Sequence, residues 1–284
     1  MIRKSPVIEG RVRVGIGGWN YEPWRATFYP PGTVHGQELD YASRQVMTIE
    51  INGTFYGTQK PASFRKWHDE TPDDFVFALK APRFATHRRV LAEAGESIQR
   101  FMDSGLSELG DKLGPINWQF APTKQFDPED FGAFLSLLPK HSNGKVLRHA
   151  VELRHPSFAV PACIDLLRSH DVAVVGADAP DYPQIFDTTA SFVYLRLQNA
   201  VQDKVNGYGP KAIDQWAKRA RLWSEGETPD DLPMLVSSLA PDKSGKKGAF
   251  RSETHIPRPV FLFFINGFKP KAPAAAMALL KRLP

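Results

Sequence analysis

Short apolar runs recur along the chain at Val12–Ile16, Thr48–Ile51, Phe75–Leu79, Pro115–Gln119, Ala150–Leu153, Val172–Ala177, Phe192–Leu197 and Val260–Phe264. Each is short, rich in β-branched or aromatic residues and closed by a polar or permissive position, the pattern of a strand. Between them the spacing changes to that of a helix. The intervening segments are Gln37–Val46, Pro61–Glu70, Ser97–Leu109, Ala159–His170, Lys211–Glu225 and Pro270–Leu283. A further helix opens at Asp127-Pro128, with an acid at the N-cap, proline in the first turn, and Phe131, Phe134, Leu135 and Leu138 on one face. Only a short connection separates the sixth and seventh runs, so the sixth helix is predicted to be reduced or absent.

Strands that alternate with helices imply a parallel sheet, because parallel neighbours need a long crossover. Eight such units predict an α/β fold: one (β/α)8 barrel of the TIM type over residues 1–284, closed so that no edge strand remains. A long polar insertion, about 226–259, precedes the last strand. A doubly wound open sheet is the alternative, and it wants a glycine-rich phosphate loop after the first strand. Gly15-Ile16-Gly17 has no third glycine at the required spacing and opens no helix. These glycines read instead as a close backbone approach to a ligand or a sharp turn.

The strand ends carry the candidate chemistry: Gly17, Glu50, Lys80, Gln119, Glu152 with Arg154, Asp178, Arg196 and Asn266. In a barrel of this class the C-terminal rim is where a site is built. Val146–Ser157 is the densest stretch. Period-two alternation sends Val151 and Leu153 to one face and Glu152 and Arg154 to the other, with His155 just beyond. The plain alternative is a charge pair that satisfies only itself. Likewise Glu50 and Asn52 share a face, as do Tyr194 and Arg196. The aromatic loop with Trp19, Tyr21, Trp24, Phe28 and Tyr29 is either a lid packed on itself or a stacking surface. The basic loop 82–89 is either solvated surface or an anion site.

Composition narrows the class without choosing a function. A hydrophobic content of 42% with 24% charged residues is that of a globular chain, and a net charge of +5 favours anionic partners. The single cysteine, Cys163, excludes a disulfide or thiolate cluster within the chain and reads as core. No apolar run is long enough to cross a bilayer or to form a signal peptide, so no membrane role and a cytoplasmic location are expected.

Five motifs in order resemble the YecE-like family, the domain-of-unknown-function family numbered 72. They are Gly15-Ile-Gly-Gly-Trp-Asn-Tyr21, Glu50-Ile-Asn-Gly-Thr-Phe-Tyr56, Lys80-Ala-Pro-Arg83 with Thr86-His87, Glu152-Leu-Arg-His-Pro-Ser-Phe158 and Tyr194-Leu-Arg-Leu197. The resemblance runs from about Val12 to Leu197 and resumes weakly at Phe263–Asn266. It implies a barrel and supplies no established activity. Two positions depart from the family pattern: Gln198-Asn199 stands where a His-Gly is usual, and Ile265-Asn266-Gly267 where Asn-Asn-Asp is usual.

Three functions fit these residues. The first is a hydrolase or lyase acting on a phosphate-bearing substrate, a nucleotide or nucleic acid, with Glu50, Glu152 and Asp178 as candidate catalytic residues. Lys80, Arg154 and Arg196 would hold the anion, since guanidinium forks match phosphate oxygens. Trp19, Tyr21, Asn52, Tyr56, His87, Gln119, His155 and Asn266 complete the candidate substrate contacts. The second is a carbohydrate-active enzyme with Glu50 and Glu152 as its carboxylate pair, disfavoured by neighbouring cations that lower a carboxyl pKa. The third is a non-catalytic binder of an anionic ligand. No cofactor is legible. A divalent metal would have to draw on Glu50, Glu152, Asp178, His87 and His155, no two of which show a metal-binding spacing, so no metal ligand is assigned.

Overall fold

The computed structural model describes residues 11–236 and 256–283. The N-terminal ten residues and most of the expected 226–259 insertion lie outside them. The eight predicted strands are present: β1 (Val12–Gly17), β2 (Thr48–Ile51), β3 (Val76–Lys80), β4 (Leu113–Gln119), β5 (His149–Glu152), β6 (Ala173–Asp178), β7 (Val193–Leu197) and β8 (Val260–Phe264). Each pairs in parallel with its neighbour in sequence, and β8 returns to β1 through Val12↔Val260 to Ile16↔Phe264. The ring is a closed (β/α)8 barrel.

Its outer helices are α1 (Glu38–Gln45), α2 (Pro61–Asp69), α3 (Gly95–Met102), α4 (Pro128–Leu137), α5 (Pro161–Ser169), α6 (Pro210–Ser224) and α7 (Ala272–Leu280). Proline opens α2, α4, α5 and α6, where its missing N–H costs no intrahelical bond. Asp127 caps α4 by accepting from the backbone N–H groups of Glu129 (3.0 Å) and Asp130 (3.1 Å). No helix lies between β6 and β7, as the short connection predicts. Among the described residues no helix is long and apolar enough to cross a membrane.

Two local expectations are corrected. The predicted helix Ser97–Leu109 breaks: α3 stops at Met102, Gly105 takes φ +95°, and 3-10 turns span Leu106–Lys112 with a kink at Gly110 (φ +54°). An antiparallel hairpin not foreseen, His141–Ser142 with Lys145–Val146, turns at Asn143-Gly144, both at positive φ. The Asn-Gly pair is a strong hairpin signal.

Strand alternation divides the apolar residues into two shells. Ile16, Ile49, Leu79, Trp118, Val151, Leu197 and Phe264 face the helices, whereas Val76, Ala78, Ala150, Val175, Tyr194, Phe261 and Phe263 fill the barrel. His149 belongs to the outer shell. Its Nδ1 accepts from Trp118 Nε1 (3.0 Å), and its Nε2 lies 2.7 Å from the Pro139 carbonyl, so the ring is neutral with Nε2 protonated. Burial pushes this imidazole down to about 4. Below pH 6.5 the unfolded chain takes up a proton that the folded chain refuses, so stability contributed here is lost as pH falls from about 6.5 to about 4. The loss is expected to be on the order of 3 kcal/mol. A His149→Gln variant should show a flatter dependence of urea midpoint on pH over that window, and a slope equal to the parent's would refute the assignment.

Candidate functional site

The charged residues meet inside the upper barrel because small side chains leave them room. Glu50 lies in register between Gly17 and Ala78, and Arg196 beside Ala177. The Arg196 guanidinium donates through Nη2 to Glu50 Oε1 (3.1 Å) and through Nη1 to Glu152 Oε2. Arg154 closes on the other side of Glu152, donating to its Oε1 from Nε (3.0 Å) and Nη2 (2.8 Å). The same Nη2 donates to Gln119 Oε1 (2.8 Å). The remaining Glu50 oxygen accepts from Tyr194 OH (2.5 Å) and Asn117 Nδ2 (3.3 Å). Glu50, Glu152 and Arg196 are each 1% exposed or less.

These contacts decide what the acids can do. Burial alone pushes the Glu152 carboxyl up, but the guanidinium of Arg196, then Arg154 and Lys80, outweigh it and hold the group down at about 2. Burial, with the Glu50 charge added, raises the Tyr194 phenol well above its ordinary value, so it stays a donor. Lys80 stands apart. Only 6% exposed, its side chain makes no ion pair or hydrogen bond among the described residues, and its ammonium lies 4.1 Å from the Phe55 ring centre. Burial, then the Arg196 charge, push its amine down to about 8 against the pull of Glu50 and Glu152. With Lys80, Arg154 and Arg196 against two carboxylates, the cluster carries one cation that no acid neutralises.

Two threonines absent from the sequence-based candidate set fix the strand ends. Thr54, in the short helix Gly53–Tyr56, donates to the carbonyl of Lys80 (2.6 Å), and Thr86 donates to that of Gln119 (2.7 Å). Tyr194 and Asn117 were also missed. Both lie two residues before a rim residue on the same strand face, Arg196 and Gln119, and that alternation was the available signal. Tyr182, stacked 4.4 Å under the Arg154 guanidinium, carried no signal.

The other candidates sit elsewhere. Asp178 pairs with Leu197 on the helix-facing side, accepts from Tyr208 OH (3.0 Å), and is pushed up by burial. His155 caps the turn Pro156–Phe158 by accepting from the Ser157 backbone N–H (3.2 Å). Trp19 packs edge-on to Trp67 (5.4 Å), and Tyr21 packs on Trp24 (5.3 Å) under the Lys269 ammonium. That aromatic loop is packed on itself: Trp24, Phe28 and Tyr29 are buried, and Tyr29 OH donates to the Trp19 carbonyl (2.6 Å). Asn52 Nδ2 donates to the Glu50 carbonyl (3.3 Å), Tyr56 is 70% exposed, and Asn266 Nδ2 donates to Gln198 Oε1 (3.0 Å).

A basic cleft of about 540 Å³ is lined by Thr86, His87, Arg88, Arg89, Thr123, Lys124 and Gln125 among others. The His87 ring is 5.6 Å from that of Phe55. Arg88 is spent on the Phe84 and Glu93 carbonyls and Ser97, and Lys124 on Asp130, leaving His87 and Arg89 exposed toward solvent. Among the described residues no three His, Cys, Asp or Glu side chains converge as a metal-binding group.

Comparison with known proteins places this barrel among relatives. YecE of Escherichia coli K12 is 27% identical over 150 residues, 52% of this chain and 50% of YecE. YunF of Bacillus subtilis 168 is 27% identical over 155 residues, 53% of each. The chain thus spans about half the length of the curated relatives it matches. A DUF72 family protein from Thermotoga maritima has the same fold, with a TM-score of 0.65 at 23% identity over 95% of this chain and 98% of that one. The model of the family described as protein of unknown function DUF72 matches residues 13–237. That span holds the ends of β1 through β7 and with them the buried charge network, and the chain belongs to the DUF72 family.

Proposed function

We propose that the protein is a hydrolase or lyase that takes a phosphate-bearing substrate, of the nucleotide or nucleic-acid class, at the C-terminal mouth of the barrel. The observation that carries this reading is the surplus positive charge of Lys80, buried at a strand end beside the Arg196 and Arg154 guanidinium groups. A buried cation without a counter-ion is costly, and an anionic ligand supplies what the fold withholds. Arg154 adds a guanidinium whose Nη1 makes no hydrogen bond among the described residues. His87 and Arg89 form the outer wall.

The reading changes the roles expected of the acids. Glu152, ionised and with both oxygens held by guanidinium groups, is a brace that aims Arg154; it is a poor base and cannot be a general acid. That removes one partner from the carboxylate pair that a glycosidase needs. Lys80 is the group whose proton affinity suits proton transfer near neutral pH.

The test is turnover of phosphate mono- and diesters and of abasic-site DNA, with and without added divalent metal, beside Lys80→Met. Activity should fall by about 100-fold or more in the variant, in the range of a lost acid–base group. Affinity for inorganic pyrophosphate, measured calorimetrically, should weaken about 10-fold, in line with one charge-assisted hydrogen bond. A folded parent that turns over none of these substrates, with pyrophosphate affinity unaltered by Lys80→Met, would sink the proposal.

A further inference from the structure

The surplus cation also has, once deprotonated, the chemistry of a nucleophile. We propose that Lys80 forms an imine with the carbonyl carbon of a phosphorylated aldehyde or ketone, whose phosphate is held by Arg154. This inference rests on the anion reading above and specifies it toward lyase chemistry.

Three features of the site carry it. First, Arg154 and Arg196 are committed by hydrogen bonds to carboxylates, whereas the Lys80 amine has no such partner among the described residues. An amine locked in an ion pair cannot offer its electron pair; one resting over an aromatic face can do so once it loses a proton. Second, the backbone beneath Lys80 is fixed by the Thr54 hydroxyl on its carbonyl, so the side chain is presented from a rigid strand end. Third, a phosphate-binding guanidinium distinct from it stands at the same rim. Arg154 reaches in from the end of β5, and His87 borders Phe55 from the loop after β3. The amine's lowered proton affinity agrees, since a useful fraction is neutral near pH 7.5.

The step balances without an oxidant or reductant. The neutral amine gives its electron pair to the carbonyl carbon, and the C=O π pair moves to oxygen, which takes a proton as nitrogen releases one. Loss of water from the resulting carbinolamine forms the C=N bond, and hydrolysis returns the free lysine.

Borohydride reduction traps the adduct. The full chain would be incubated with glyceraldehyde 3-phosphate or with unphosphorylated glyceraldehyde, reduced, digested and mapped by mass spectrometry, with surface lysines as the internal reference. Lys80 should be labelled at least about 10-fold more by the phosphorylated aldehyde. Inorganic phosphate should suppress that labelling, while Lys80→Arg keeps the charge and loses the adduct. If phosphate binds calorimetrically but Lys80 is labelled no more than surface lysines, the imine inference is overturned and the anion reading stands. If phosphate does not bind and Lys80 is not labelled, both fall. Equal labelling by the two aldehydes would overturn the phosphorylated substrate class.

Discussion

Arg196→Met is expected to destabilise the fold by about 3–5 kcal/mol, the range for breaking a buried ion pair by removing one partner. Glu50 and Glu152 would both remain buried, and neither has a route to water. Glu50 would keep Tyr194 and Asn117 as donors, and Glu152 would keep Arg154, but the charge between them would be gone. With total stabilities commonly about 5–15 kcal/mol, such a loss removes a large share of the margin. Urea unfolding at pH 7 measures it directly. The triple variant Glu50→Gln, Glu152→Gln, Arg196→Met supplies the contrast, because neutralising the set together should recover much of the loss. An Arg196→Met protein within about 1 kcal/mol of the parent would show that the carboxylates find other partners, and the brace role of Glu152 would fall with it.

Gly15→Ala carries the second large effect, about 3 kcal/mol or more, at the upper end of overpacking penalties. A Cβ at Gly15 would stand 1.9 Å from the Thr48 carbonyl oxygen and 2.7 Å from its carbonyl carbon. The obstacle is backbone of the neighbouring strand, so no side-chain rotation relieves it. Thr48 cannot yield easily either, since its hydroxyl donates to the Val76 carbonyl at 2.6 Å and ties β2 to β3. Strands β1 and β2 would have to part at this register. Gly36→Ala, with nothing within 4 Å of the new methyl group, should change stability by less than about 0.5 kcal/mol. Denaturant midpoints of the two variants that coincide would show that the barrel relaxes at Gly15 freely.

The two predictions separate what holds the barrel from what the barrel offers to a ligand. Arg196 and Gly15 are internal to the scaffold, one by charge and one by closeness of backbone. Lys80 and Arg154 stand at the strand ends that form the mouth, and the stability loss expected at Gly15 does not depend on them. Function should respond to Lys80→Met and stability far less, because among the described residues the ammonium has no ion pair or hydrogen bond to lose and rests on the Phe55 ring.

The periodicity of the chain was enough to place eight strands, the absent sixth helix and the ring of polar strand ends, because closing a barrel requires only that each run alternate and each crossover be long enough. Hydrophobic spacing likewise put Glu152 and Arg154 on one face, and Tyr194 and Arg196 on another. It could not say which charges would meet. Glu50 and Arg196 are 146 residues apart and touch only because Gly17, Ala78 and Ala177 leave space beside them in the closed ring. Asp178, by one step of register, turned to the helices and Tyr208, although the sequence lists it with the same rim. The glycine pair in β1, read as room for a ligand or a turn, serves at Gly15 the contact with the neighbouring strand's backbone. Pairing across a closed barrel depends on shear, register and the volume of every inward side chain at once, and these are properties of the assembled ring. The tertiary structure alone therefore decided that Arg196 spends its charge on two carboxylates and that, among the described residues, Lys80 is paired with none.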